Sequence, residues 1–479
     1  MISTQTGQIA LPGSPIGVAW AFLYGYSGIP AATYMPQLRG LGAGFTKVYL
    51  FWNQIEREKG RYDWSAVDAF VDQLENPEEG LIAVFSASKW ATRTSSEMLP
   101  PSPAKNPEDY YRFIYDLVRR CRGRVRYWQN DAEPNNPIFW AGTKEEFVIG
   151  LKLFYRAVKD ADPGAVVLVG GYDGMFVPPS VTTMPPFPTQ EAGLAFFDHV
   201  LKEGCDAFDV FDLRLYGDPY TIVPRVEFMR EKMRALGFEK PIICAEYGGP
   251  SIFQFAANRQ YRPWITAWSQ GIAEGHVQHN PVAAEIAHLY ETMDSLPPET
   301  QMFMLGCSPQ LEAKLQRIQA RELVMRNLFA FSAGVQKTLY WQLLLVHGDR
   351  DDLMTLMFGK IGMIGSENGQ LTRRFPVAEA CKRMTEAFRG LQQVSRIEVA
   401  DEPEIYLFRV ERGSRGPLHV VWVKRDTFSG EDAPQTPFRW EWKANAVSAT
   451  DALGQQIPAH IRNGEVYLPI SLTPVYMES

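Results

Sequence analysis

Cysteine is scarce in this 479-residue chain: Cys121, Cys205, Cys244, Cys307 and Cys381 stand far apart, with no CxxC pair. That spacing suits neither a disulfide scaffold nor a zinc site and reads as thiols of a reducing compartment. No apolar run approaches the roughly 18 residues needed to span a bilayer, so no membrane partner is expected. Positive charge is not in excess. The net charge is -7, which leaves no basic footprint and argues against nucleic acid as a partner. Residues 1–13 lack the basic and apolar regions of a signal peptide, so the expected location is the cytoplasm. GxGxxG and GxxxxGK[ST] are missing, which removes the usual phosphate cradles. GxSxG is missing too, which removes the serine-hydrolase elbow.

What is present is an ordinary globular composition, 46% hydrophobic and 22% charged. Aromatics reach 13%, with 12 Trp and 20 Tyr. Core packing explains most of them; a cleft lined with flat rings, which suits the C–H faces of sugars, is the functional alternative. Along the chain, short apolar runs alternate with helix-like stretches. Strand-like runs fall at 16–22, 45–52, 81–86, 125–130, 165–170, 208–215, 241–245 and 335–343. Helix-like stretches follow at 31–41, 64–74, 107–121, 144–161, 191–202 and 224–236. Strands apolar on both faces are parallel strands buried on each side. Eight of them alternating with helices predict an α/β fold, a (β/α)8 barrel, over residues 1–393. An insertion at about 250–309, carrying Trp264, Trp268, His276, His279 and His288, follows strand seven and reads as a partly helical functional loop. After a helix near 376–391 the pattern changes to strand-length runs at 405–410, 419–423, 438–442 and 466–472. Residues 394–479 are therefore expected to form a small sandwich-like β domain.

In a barrel of this kind the site lies at the C-terminal ends of the strands. The residues there are Trp20; Trp52, Asn53 and Glu56; Lys89 and Trp90; Asn130, Glu133 and Asn135; Arg214 and Tyr216; Glu246; and Trp341 and Gln342. This is an aromatic bowl with several carboxylates. Glu133, before Pro134, and Glu246, after an apolar run, face each other across the mouth. Such a pair serves glycoside hydrolysis: one carboxyl protonates the leaving oxygen, and the other attacks the anomeric carbon. In a retaining pair they lie about 5–5.5 Å apart. The bland alternatives are a helix-terminal carboxylate at Glu133 and a buried ion pair of Glu246 with Lys47 or Arg214. The histidines, two of them at i, i+3, read as a solvated or packed loop rather than a metal site, and no cofactor is expected.

Three stretches, Tyr127-Trp-Gln-Asn-Asp-Ala-Glu133-Pro-Asn135, Trp140-Ala-Gly-Thr-Lys-Glu-Glu-Phe147 and Asp162-Pro-Gly-Ala-Val-Val-Leu-Val-Gly-Gly171, resemble the strand-four region of clan A glycoside hydrolases. Family 39 is nearest and family 5-like enzymes come next. Phe51-Trp-Asn-Gln-Ile-Glu56 with Gly60-Arg-Tyr-Asp-Trp64 resembles the strand-two region, and Pro469-Ile-Ser-Leu-Thr-Pro-Val-Tyr476 the closing β domain. The resemblance runs from about residue 14 to the C-terminus. It implies a retaining double displacement on a β-linked glycoside, with Glu133 as acid/base and Glu246 as nucleophile. It also implies Tyr216 as a hydrogen-bond partner of the nucleophile, Trp341 as the floor of the sugar subsite, and Lys47 in place of an arginine beneath the nucleophile. The substrate partner is an oligosaccharide or glycoside.

Two departures stand out. Ala132 replaces the usual Asn before the acid/base, which removes a contact to the sugar 2-hydroxyl; Asn130, Asn135 or Gln342 is then the candidate amide. Arg214 replaces a common His and suits either a substrate carboxylate or an ion pair with Glu246 or Asp212. Ala132 also favours the alternative of a non-catalytic carbohydrate-binding barrel. Transglycosylation is a further alternative with the same residues. Trp52, Trp90, Lys89 and Trp20 complete the expected substrate-binding set.

Overall fold

The computed structural model describes residues 11–20, 29–172, 190–273, 280–345 and 348–479. Eight parallel strands form one sheet: β1 (Ile16–Val18), β2 (Thr46–Phe51), β3 (Gly80–Phe85), β4 (Tyr127–Asn130), β5 (Val166–Tyr172), β6 (Val210–Leu213), β7 (Ile242–Tyr247) and β8 (Thr338–Tyr340). Their order is β1-β8-β7-β6-β5-β4-β3-β2. The Val18 and Trp20 N–H groups donate to the Phe45 and Lys47 carbonyls at 3.1 and 2.9 Å, so the sheet closes into a barrel. The expected (β/α)8 barrel is therefore present. β1, β2, β4, β6 and β8 are shorter than their apolar runs, because parallel pairing ends where each chain turns toward its helix, whereas β3 matches its run in length and β5 and β7 are each one residue longer.

Side chains alternate across each strand. Phe45, Leu81, Tyr127, Leu168, Val210, Ile243 and Leu339, at the starts of their strands or just before, form one apolar layer inside the barrel. Counting in twos from that layer identifies the next inward residues: Lys47 and Tyr49, Ala83 and Phe85, Gln129, Gly170, Asp212 and Arg214, Ala245, and Trp341. The intervening residues, such as Val48, Val84, Trp128, Val169 and Tyr340, join the core between barrel and helices.

The segment between β7 and β8 is helical. It contains the helices Pro263–Ala273, Ala283–Glu291 and Pro298–Gln301 before the long helix Pro309–Ser332. Ile252, Phe253, Phe255, Met302, Phe303 and Leu315 give it a core of its own. His276 and His279 lie outside the described residues, while His288 is exposed beside Glu291 at 3.2 Å. Among the described residues no group of His, Cys, Asp and Glu is arranged to hold a metal ion, and no helix is long and apolar enough to cross a membrane.

After β8 comes a hairpin the sequence did not announce, β9 (Ile364–Glu367) and β10 (Gln370–Arg374). The tail then forms two antiparallel sheets. β11 (Gln393–Ile397), β12 (Ile405–Glu411), β13 (Leu418–Val423), β18 (Val475–Glu478) and β15 (Ser448–Asp451) make one. β14 (Thr436–Glu441), β17 (Glu465–Ile470) and β16 (His460–Arg462) make the other. Leu407, Val421, Phe438, Val466 and Leu468 fill the space between them. The outer face of the larger sheet rests on the barrel: Trp422 stacks on Phe408 and meets Phe329 edge-on, and its indole N–H donates to the Tyr220 hydroxyl at 2.9 Å.

Candidate active site

Glu246 reaches the barrel interior through a bulge. Cys244 pairs with Thr338 and Tyr247 with Tyr340, so β7 spends three residues where β8 spends two. Cys244 and Tyr247 both face the surrounding helices. Ala245 and Glu246 between them therefore both lie on the inner side, the re-aiming that a bulge allows. Glu246 is the penultimate residue of β7, two positions before the first residue that follows the strand.

The Glu246 carboxylate is held from both sides. Lys47 Nζ donates to Oε1 at 2.9 Å, and the Tyr49 hydroxyl donates to the same oxygen. Arg214 Nη1 contacts Oε2, and the Tyr216 hydroxyl lies 3.4 Å from it. Lys47 and Arg214 expose no side-chain surface at all. Burial, with the Arg214 charge beside it, pushes the Lys47 ammonium well below the usual lysine range. Burial works against the charge of Arg214 too, but Asp212, Tyr49 and Glu133 hold it above the ordinary arginine value.

Arg214 ties the site together. Its Nε is 3.4 Å from Asp212 Oδ2 and 4.0 Å from Glu133 Oε1, while Nη1 meets Glu246. Asp212 in turn accepts from Gln129 Nε2 and from the Ala245 N–H, both at 2.8 Å. Three carboxylates thus lie around one buried guanidinium, where removing one partner strands another charge. The guanidinium fits because β5 bulges at two left-handed glycines. A Cβ on Gly171 would sit 2.7 Å from Arg214 Nε. Two further buried arginines hold the turn after β6 by its carbonyls. Arg225 donates to Arg214 O and Tyr216 O, both at 2.6 Å, and Arg326 donates to Leu215 O at 2.9 Å.

Glu133 sits at the end of β4 with φ of 49°, and Asp131 has the same value. Left-handed backbone in a residue with a Cβ costs about 1–3 kcal/mol and is maintained only where the surroundings enforce it. Asp131 supplies part of that enforcement: its carboxylate accepts from the Ser86 N–H at 3.0 Å and the Asn130 amide at 2.7 Å. Ala132 is buried with Phe51, Phe85 and Ala87 in an apolar wall.

The expected site residues divide into two groups. Glu133, Glu246, Arg214 and Tyr216 come together. Trp341 is half-buried above them and stacks on Tyr49 at 5.8 Å. Asn135 lies half-buried in the turn after Pro134, and Gln342 is buried directly after Trp341. The others are not brought to the carboxylates. Trp20 packs at a tilt against Tyr34, and Trp52 stacks on Phe113, in the layer between barrel and helices. Asn130 points to Tyr110 and Asp131. Trp90 donates to the Glu56 carbonyl at 2.8 Å, and the Glu56 carboxylate is itself taken by Trp52 and Arg112. Lys89 is on the surface, paired with Glu97. Arg214, expected as a candidate for a substrate carboxylate, is occupied by the protein's own carboxylates. Tyr49 and Gln129 were not singled out from the sequence, although they share the strand parity of Lys47 and Arg214; Asp212, expected as a possible ion-pair partner of Arg214, does lie beside it.

No family model matches the chain, and no curated protein matches it. Solved structures of the same fold do. A family 39 glycoside hydrolase from Bacteroides cellulosilyticus WH2 superposes with a TM-score of 0.62 at 14% identity, over 97% of this chain and 80% of that one. A family 51 α-L-arabinofuranosidase from Bifidobacterium longum gives 0.55 at 12% identity, over 98% and 97%. A glucosidase from Croceicoccus marinus gives 0.52 at 14% identity, over 96% and 94%. The likeness spans both barrel and tail and shows that the chain has the fold of these glycoside hydrolases.

Proposed function

We propose that this protein is a glycoside hydrolase that cleaves a β-linked glycoside with retention of configuration. The observation that carries the proposal is the pair of glutamates at the ends of β4 and β7, joined by one buried guanidinium. Glu246 is the nucleophile. Lys47 and Tyr49 on one oxygen and Arg214 and Tyr216 on the other hold and aim it. Glu133 protonates the leaving oxygen while Glu246 attacks the anomeric carbon. Glu133 then takes a proton from the water that releases the sugar. Trp341, propped by Tyr49, offers the flat apolar face on which the ring rests.

One observation favours a second reading, a barrel that binds sugar without cleaving it. Both oxygens of Glu246 are engaged, and the residue before Glu133 is Ala132, in an apolar wall with no amide to offer. A panel of aryl β- and α-glycosides, with oligosaccharides beside them, separates the two readings. The proposal expects turnover of at least one β-glycoside, falling by several orders of magnitude in Glu246→Gln and Glu133→Gln. Turnover undiminished in Glu246→Gln refutes the assignment of the nucleophile. Calorimetric binding of an oligosaccharide with no turnover by the wild type establishes the second reading.

A further inference from the structure

Cys307 ends the segment inserted between β7 and β8, and Lys360 lies beyond β8, after the helix Leu353–Phe358. The two side chains meet. Lys360 Nζ is 2.9 Å from Cys307 Sγ, 2.6 Å from Glu312 Oε2 and 3.2 Å from the Met302 carbonyl. Lys360 is almost entirely buried, at 7% side-chain exposure, so its amine stays against the sulfur. Cys307 is partly exposed and open to a small oxidant. Glu312 Oε2 is also 3.9 Å from Sγ, so one carboxylate can take protons from both groups. Tyr290, with Arg350 over its ring, accepts from the Leu305 N–H two residues before Cys307. Cys205 offers a contrast: it is also partly exposed, but the amine beside it, Lys240 Nζ, donates to its backbone carbonyl, and its sulfur faces the Lys202 carbonyl at 3.9 Å.

We propose that Cys307 and Lys360 are an oxidative modification site, at which hydrogen peroxide joins Sγ to Nζ through one oxygen atom. One peroxide converts the Cys307 thiol to a sulfenic acid and leaves as water, with sulfur oxidised by two electrons. A second peroxide takes two electrons and two hydrogens from the sulfenic O–H and the amine N–H and leaves as two waters, and the oxygen–nitrogen bond forms. Four equivalents of a small thiol reverse the process, giving back thiol and amine with one water and two disulfides. The link ties the insertion to the segment after β8. Phe358, two residues from Lys360, packs edge-on against Tyr216, which touches Glu246. The modification therefore stiffens one wall of the candidate site, but its formation does not depend on the proposed activity.

The test is peptide mapping of the full chain after peroxide treatment. The expected product is one cross-linked peptide containing Cys307 and Lys360, heavier than the reduced pair by one oxygen and lighter by two hydrogens. It disappears on treatment with dithiothreitol and does not form in Cys307→Ser. In Lys360→Arg, Cys307 stops at a sulfenic acid that dimedone traps, as Cys205 does in the wild type. If wild-type Cys307 stays reduced, or proceeds to sulfinic and sulfonic acid while Lys360 remains open to trypsin, the proposal is overturned.

Discussion

Asp131 lies two residues before Glu133 and is buried with its carboxyl pushed up to about 7. Burial is the cause, opposed by hydrogen bonds from Ser86 and Asn130. An unfolded Asp titrates near 4. Between about pH 4 and pH 7 the folded chain therefore holds a proton that the unfolded chain has released, and stability falls as pH rises through that window. Asp131→Asn removes this contribution, on the order of 1–3 kcal/mol across the window. Chemical denaturation of both proteins at pH 5 and pH 7.5 measures it; parallel slopes would contradict the assignment. At this scale the candidate carboxylates and Tyr216 were legible from motif and position. Trp20, Trp52 and Asn130 were placed in the bowl because they end strands, yet each has the outward parity of its strand and faces the helices. Counting in twos from Phe45, Tyr127 and Val210 separates them from Tyr49, Gln129 and Asp212. Glu246 is the instructive exception, since only the bulge in β7 gives it inward parity.

Among the elements, β5 shows how backbone makes room for charge. A side chain on Gly171 meets Arg214 Nε at 2.7 Å, Nη2 at 2.8 Å and Asp212 Oδ2 at 2.9 Å, at a φ of +90°. Gly60 has a similar φ of +77° with nothing within 4 Å. Gly60→Ala is expected to cost only backbone strain, about 1–2 kcal/mol. Gly171→Ala adds the displacement of the guanidinium, about 1–3 kcal/mol more, and lowers any turnover with it. Urea denaturation of the two variants makes the comparison; equal losses would mean that the space beside Gly171 is not needed. The strand–helix alternation was legible because buried parallel strands read as apolar runs. The arginines that brace the turn after β6 were not. Arg326 lies in the helix Pro309–Ser332, which is buried along most of its second half, so no polar face marks it.

For the whole molecule, barrel and tail share one core. Phe329 from the barrel side meets Tyr406, Phe408 and Trp422 of the tail edge-on, at 5.4 to 5.8 Å between ring centres. Trp422→Ala empties that joint and is expected to cost about 3–5 kcal/mol, with barrel and tail losing structure together in thermal unfolding. A change under about 1 kcal/mol would contradict the shared core. The barrel and the tail were both expected from pattern. β11, β15, β16 and β18 were not, because each is three to five residues long and takes its place from a partner strand rather than from its own alternation. The central claim is that Glu246 attacks and Glu133 serves as acid and then base. Proton NMR of the first sugar released from the β-glycoside that is turned over tests it most directly. The account predicts a β product that equilibrates to the anomeric mixture only afterwards; an α product at the earliest times would contradict a covalent intermediate on Glu246.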